Sequence, residues 1–501
     1  MQCNRKGKTM NNGHRPGKIK HRYAPLGEQG VKKVHESTLH VLEEVGFEVH
    51  NDEAFDLFSK AACAVDSERR VVKLRPETVM ELVSAAPREV TLCGRSEKHD
   101  LELGRGNVYF GTGGTALNVM DYGSKEHRRA TLQDLIEIIR ICDHLSNIDL
   151  MLLPTYPAEL PIDVVDVNRF FAGFMHTTKH IMGGIYTAQG MRDVIAMAET
   201  IAGSREALRR RPFLSMIACG ISPLRIDEKY SSFMIDIARE RIPVAVPAEP
   251  LCGATSPISL GGNLVMQNCD GLINVMLTQL ASPGAPVIYG CVASATNLRD
   301  LTYLGGPVES GLVNAAAAEM AQYYGIPSYT TAGISDSKTL DAQCGYESAI
   351  NNLLVGLAGS DFIHDAAGLM EFAMTVSKEK LVIDNEIVGM AKRAIEGVSL
   401  DSERLGLDEI KRAGPGGNFT ASRHTRKFMH REHYRPQLSD REKRSVWRED
   451  GAQSASERAH EVVERLLAES VKCYVDLADR EDVLERFPVE ERAYEAEVLY
   501  V

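Results

Sequence analysis

Pro286-Val-Ile-Tyr-Gly-Cys-Val-Ala293, an alanine-rich run from Ser310 to Tyr324, and Pro327-Ser-Tyr-Thr-Thr-Ala-Gly333 form the stretch of this 501-residue chain that decides its architecture. A short apolar run closed by small or polar residues reads as a buried strand. The periodic run reads as a helix, and the second apolar run as the next strand. Strand, crossover helix and strand make a βα unit whose two strands lie parallel. Working outward, the same alternation starts near residue 107 and gives eight strands, at 107–113, 148–155, 180–186, 213–220, 242–249, 286–293, 327–333 and 361–367. Their starts are roughly 30 to 45 residues apart, the size of one βα repeat. Eight such units predict an α/β fold closed into a (β/α)8 TIM barrel rather than an open doubly wound sheet. Gly111-Thr-Gly-Gly114 lies too early in its unit and lacks the spacing of a dinucleotide-binding turn. Thr131-Leu-Gln-Asp134 opens a helix over 131–146. The run from Asp341 to Gly359 predicts another, with Ile350, Leu353, Leu354 and Leu357 on its apolar face.

Around the barrel, taken as 106–398, the chain divides into an N-terminal arm, disordered or extended, over 1–30, an α+β cap over 31–105 and a C-terminal helical extension over 399–501. The cap is expected to hold helices at 32–45 and 76–86 around a strand pair near 46–50 and 70–74. With 44% apolar residues the chain can bury a large core. The net charge of −12 is spread along the sequence, and basic residues cluster only between Arg5 and Arg22, so a nucleic-acid partner is not expected. No apolar run reaches the roughly 18 to 20 residues of a membrane span, and the N-terminus is polar, which predicts a cytoplasmic protein with no membrane attachment. The ten cysteines stand singly and read as small buried hydrophobes.

Barrel enzymes place their chemistry at the C-terminal ends of the strands. There the sequence offers Tyr109, Thr112, Thr155, Tyr156, Tyr186, Ser222, Glu249, Tyr289, Ser335-Asp336-Ser337-Lys338, His364 and Asp365. Carboxylates and tyrosine rings around one cavity suit a cation that cannot donate hydrogen bonds, because such a cation is held by aromatic faces and diffuse negative charge. Glu249, Tyr289 and Asp336 fit that role. Equally, the tyrosines could plug the barrel and the carboxylates cap helices. A metal site would use His364, Asp365 and Glu249, but only one histidine falls at a strand end, while His176 and His180 lie toward the opposite face. Lys338 stands past its strand, on the turn, where a Schiff-base lysine is not expected. Gly305-Gly306-Pro307 and Gly414-Pro-Gly-Gly417 are not Walker patterns and read as turns.

The segment Ala332-Gly-Ile-Ser-Asp-Ser-Lys-Thr-Leu-Asp-Ala-Gln-Cys-Gly-Tyr-Glu-Ser348 resembles the signature of the trimethylamine methyltransferase family of corrinoid-dependent enzymes. The likeness continues through Leu357-Ala-Gly-Ser-Asp361, Leu381-Val-Ile-Asp-Asn-Glu386 and Gly416-Gly-Asn-Phe419 with His424-Thr425, in the family's order. It implies a TIM-barrel methyltransferase that docks a separate corrinoid protein over its mouth and delivers a methyl group to Co(I), with no cofactor of its own permanently bound. Family members with pyrrolysine carry it just before the Ser-Asp pair, a position that is Ile334 here. Isoleucine has no imine, so the resemblance points to the members that demethylate quaternary amines such as glycine betaine, proline betaine or carnitine. The alternatives are a trimethylamine:corrinoid methyltransferase or a metal-dependent TIM-barrel lyase. On this reading no residue acts as nucleophile. Tyr109, Glu249, Tyr289 and Asp336 form a cation cage, His364 meets a substrate carboxylate, and Gln343 and Glu347, four apart, face the cavity from one side of a helix. A homo-oligomer is expected.

Overall fold

A computed structural model describes residues 22–494 and 498–501; the expected disorder of residues 1–21 lies outside the described residues. Eight parallel strands, each inside its expected window, form the centre: β1 Tyr109–Thr112, β2 Met151–Leu152, β3 Ile181–Gly184, β4 Leu214–Ile217, β5 Val244–Ala248, β6 Val287–Cys291, β7 Ser328–Thr331 and β8 Phe362–Ala367. They are hydrogen-bonded in sequence order, and β8 pairs with β1. Closure between β1 and β2 is made by the Gly111–Leu150 bridge and by the Asp149 N–H donating to the Phe110 carbonyl at 2.7 Å. This is the closed (β/α)8 ring that the repeat spacing predicts.

After each strand comes a covering helix: α1 Leu132–His144, α2 Ile162–His176, α3 Ala188–Ala202 (with a short further helix at Arg205–Arg210), α4 Glu228–Glu240, α5 Leu260–Ala281, α6 Val308–Tyr324, α7 Ala342–Ala358 and α8 Lys378–Glu396. Most start on a side-chain cap, including a Thr131–Asp134 capping box on α1 and single caps from Thr187, Asp227, Ser259, Asp341 and Ser377. In α7 the expected apolar face is split: Leu354 and Leu357 are half-buried, Leu357 against the core, while the other two residues turn outward. Ile350 and Leu353 are 45% and 37% exposed, with Tyr346 beside them at 54%. Its buried side mixes Ser348, Asn351, Asn352 and Gly356 with apolar Cys344, Val355 and Ala358.

The interior is solid at the strand starts. Tyr109, Leu150, Leu152, Met182, Ala245, Ile288, Tyr329 and Phe362 pack there with Val90, Leu92, Leu101 and Leu103 of an antiparallel hairpin that plugs this end. Before that hairpin the chain forms helices Gly27–Glu44, Asp52–Ala61 and Pro76–Ser84 around strands Phe47–Val49 and Val71–Lys73. The first helix thus begins within the segment expected to be an arm, and both Asp52–Ala61 and the plug were not anticipated. At the other end of the chain, helix Ala455–Leu467 packs on α8 and α1. Among the described residues no helix is long and apolar enough to cross a membrane.

One buried ion pair ties the outer layer to the strand ends that carry the site. The Lys380 ammonium donates to Asp384 Oδ2 at 2.6 Å, Ser348 Oγ at 3.0 Å and the Gly333 carbonyl at 3.1 Å. Asp384 also accepts from Ser348 Oγ and from the Gly368 N–H, both at 2.8 Å. Gly333 and Gly368 both adopt left-handed backbone, at φ +82° and +97°, which only glycine takes without strain. The pair therefore joins α7, α8 and the loops after β7 and β8. Replacing Asp384 by Asn strands a buried ammonium, and denaturant titration should show a loss of about 3–5 kcal/mol that Lys380→Met in the same chain partly restores.

Candidate functional site

At the mouth of the barrel the strand alternation is broken on purpose at β8. Between Ile363 and Ala367 its register against β1 shifts, and Asp365 takes a left-handed backbone at φ +59°. In a regular strand His364 and Asp365 would face opposite sides, whereas the bulge turns both toward the mouth. Asp365 Oδ1 accepts from the Gly114 N–H at 3.1 Å, and its Oδ2 lies 2.9 Å from His364 Nε2. The other imidazole nitrogen, Nδ1, meets the Thr330 carbonyl at 2.8 Å, and the ring stacks on Tyr329 at 4.0 Å and 16°. Both nitrogens of His364 are thus engaged, so the ring serves as floor and brace for Asp365 and does not present a free donor to a substrate carboxylate.

Glu249, the residue after β5, opens onto solvent in the mouth while the barrel wall surrounds it. Its carboxyl is pushed up to about 7, first by lost hydration and then by the Asp365 charge, against the pull of His364. Cys219, after β4, lies close enough to feel both carboxylates; burial and their charges push its thiol up to about 12, so it stays protonated. Tyr329 and Tyr303 complete the cluster, each held well above the ordinary phenol range, chiefly by burial. Tyr303 comes from a hairpin after β6 and lies within the field of Glu249, Asp365 and Asp336. Further around the mouth, Tyr156 and Tyr186 meet edge to face at 5.1 Å. The guanidinium of the fully buried Arg169 sits 5.4 Å from the Tyr186 ring and donates to the Thr155 and Leu153 carbonyls. Asp166 accepts from the Tyr186 and Thr187 N–H groups, which fixes the end of β3.

The β7 loop departs from the expected roles. Asp336 is buried, and its Oδ1 accepts from the Gly305 N–H at 3.1 Å. Its carboxyl is pushed up to about 6 by burial and by Glu347, against the glycine N–H groups. Glu347 accepts from Ser335 Oγ at 2.7 Å, the Asp336 N–H at 2.8 Å and the Gln343 amide at 2.9 Å. Gln343 and Glu347 do share one helix face, and they bond each other and the loop. Ile334 is only 1% exposed and packs beneath Gly305.

Two of the expected cage residues stand elsewhere. Tyr289 points outward from β6, its hydroxyl donating to Asn268 Oδ1 at 2.9 Å and its ring against Gly271 of α5. Tyr109 points inward but at the closed end, where its hydroxyl accepts from the Glu102 N–H at 3.1 Å. At the mouth itself stand Tyr303, which the sequence did not single out, and Asp365, which it weighed only as a metal ligand. The only trace of Tyr303 was a tyrosine in the loop between strand six and its helix.

Residues 2–495 match the family described as trimethylamine methyltransferase (MTTB). The trimethylamine methyltransferase MttB of Desulfitobacterium hafniense (strain DSM 10664 / DCB-2) is 36% identical over 438 residues, 87% of this chain and 88% of that one. The glycine betaine methyltransferase of Desulfitobacterium hafniense (strain Y51) is 31% identical over 463 residues, 92% and 95% of the two chains. Among solved structures, the hydroxylamine complex of MtmB aligns with a TM-score of 0.52 at 11% identity over 94% of this chain and 90% of that one. The Methanosarcina barkeri monomethylamine methyltransferase aligns at 0.50 and 12% over 90% of each, and both likenesses speak to the fold. With a match that runs almost from end to end, the chain belongs to the trimethylamine methyltransferase (MTTB) family.

Proposed function

We propose that this chain moves a methyl group from a quaternary amine to Co(I) carried by a separate corrinoid protein. The observation that carries the reading is the pair of carboxylates at the mouth. Lost hydration, and after it the charge of Asp365, pushes the Glu249 carboxyl up to about 7, and among the described residues no lysine or arginine is paired with either acid. A mobile cation would relieve that repulsion, and the rings of Tyr303 and Tyr186 give it aromatic faces.

A quaternary nitrogen asks nothing more of the protein. Its methyl carbon leaves without the bonding electrons, which stay on nitrogen as the lone pair of a neutral tertiary amine. The acceptor, when bound, supplies the electron pair of the new bond. No proton has to move, and the mouth matches that need: Cys219, Tyr303 and Tyr329 all stay protonated and His364 is fully bonded. What the residues contribute is position and charge, holding the methyl group in line and shielded from water. Ile334 sits where the resemblance would place pyrrolysine, which supports a donor that arrives already activated. A second reading, trimethylamine as donor, is favoured by the 36% identity to a protein named for that substrate.

The acceptor must reach the mouth, and exposed apolar side chains on the surrounding loops and at the start of α2, Tyr122, Ile162, Ile221 and Ile258, are what a docked protein would cover. The outward stripe Tyr346, Ile350 and Leu353 on α7 is the face we assign to self-association.

Purified protein with Co(I) cobalamin should bleach the Co(I) absorbance only with the true donor, in a screen of glycine betaine, proline betaine, carnitine and trimethylamine. Turnover with trimethylamine alone would replace the quaternary reading by the second one. Since a quaternary ammonium is charged at every pH, its binding curve reports the carboxylates. Affinity for tetramethylammonium should hold above pH 8 and fall by up to about tenfold toward pH 6 as Glu249 takes a proton. Glu249→Gln should bind weakly with that acid limb flattened; an unchanged limb contradicts the assignment.

A further inference from the structure

Between β6 and α6 the chain makes a short antiparallel hairpin, Ala295–Asn297 against Thr302–Leu304. Its base is tied by Ser310, whose hydroxyl accepts from the Ala295 N–H at 3.0 Å and donates to the Leu304 carbonyl at 2.8 Å. On one side the tip leans on the loop after β5: a Cβ added to Gly253 would stand 2.8 Å from Leu298 Cδ2. On the other side the hairpin ends in Gly305-Gly306, seated on the loop after β7. A Cβ on Gly305 would meet Ile334 Cγ2 at 2.6 Å, and one on Gly306 would meet Glu347 Oε2 at 2.5 Å, so neither glycine has room for a side chain. Asp336 Oδ1 accepts from the Gly305 N–H at 3.1 Å, and the Asn351 amide donates to the Gly306 carbonyl at 3.0 Å. The hairpin therefore spans the mouth from β5 to β7. Between those two seats stands Tyr303, half-buried, paired with Thr296 across the hairpin and packed against the core cluster that includes Ile334, with the Glu249, Asp365 and Asp336 charges acting on its phenol.

We propose that this hairpin is the specificity element of the site. It lays the Tyr303 ring across the carboxylate pair as the outer aromatic wall for the cation, with Ile334 as its seat and Asp336 as its latch. Ile334 and Asp336 are then positioning residues that act through Tyr303, and Asp336 does not contact the substrate. This rests on the reading of the mouth as a cation site. Because Ile334 fills the space directly under Gly305, a bulkier side chain at 334 must lift the hairpin and take Tyr303 away. Residue 334 thus selects the substrate by deciding whether the tyrosine wall is present.

The probe is tetramethylammonium, which carries the cationic head and nothing else, titrated calorimetrically into the full chain. Tyr303→Phe keeps the ring face and should bind within about twofold of the unaltered protein, whereas Tyr303→Leu should weaken binding about tenfold. Ile334→Trp should weaken it to a similar degree, Ile334→Val should not, and the double variant Y303L/I334W should be no weaker than either single one, since both remove the same contact. Glycine betaine against its uncharged carbon isostere, 3,3-dimethylbutanoate, gives a second readout: the preference for the cation should shrink in Y303L and persist in Y303F. Unchanged binding in Y303L, or losses that multiply in the double variant, would overturn the proposal while leaving the cation site standing. If the unaltered protein binds neither tetramethylammonium nor glycine betaine, the cation site itself falls, and the hairpin's role with it.

Discussion

The placing of two carboxylates, Glu249 and Asp365, at the open end of the barrel, where lost hydration and then like charge act on Glu249, is the constraint on which the rest depends. Two carboxylates brought together without a fixed counter-ion are costly, and a fold keeps them only if they are held from several directions. Here the holding is visible. The β8 bulge and the left-handed Asp365 set one acid against the Gly114 N–H and His364, while the wall after β5 surrounds the other. On the proposed reading a cation with no hydrogen to donate relieves that pair by charge alone, Asp365 being already bonded to the Gly114 N–H and His364.

The bracing extends outward in layers. The Lys380–Asp384 pair fixes the loops after β7 and β8 through their glycine carbonyl and N–H. Arg169 and Asp166 do the same for the ends of β2 and β3, one gathering carbonyls and the other accepting backbone N–H groups. None of these ionic groups needs to meet substrate. Their work is to keep strand ends rigid so that the mouth stays open above a floor closed by the hairpin plug.

Much of the barrel was legible because a buried parallel strand and its covering helix differ in length and period, so each strand fell inside its window. The direction of individual side chains was not. A parallel strand is apolar on both faces, so nothing in Val287-Ile-Tyr-Gly-Cys291 says that Ile288 faces in and Tyr289 out. Tyr109 has the right direction at the wrong level, since the plug that marks that end closed is made of two three-residue strands too short to read. The bulge that recruits Asp365 leaves no pattern in Phe362-Ile-His-Asp365, and Asp336 was misread because its partners are backbone N–H groups of a distant loop. In α7 half of the apolar stripe, Ile350 and Leu353, turns outward, since polar Asn351 and Asn352 are buried by bonds to backbone carbonyls.

The most direct measurement is the crystal structure of the full chain with glycine betaine bound. The account predicts the trimethylammonium nitrogen enclosed by Glu249, Asp365 and the ring of Tyr303, with a methyl group turned toward the open mouth. A metal ion held by Glu249, His364 and Asp365 in that space, or a betaine lodged away from the two carboxylates, would contradict it.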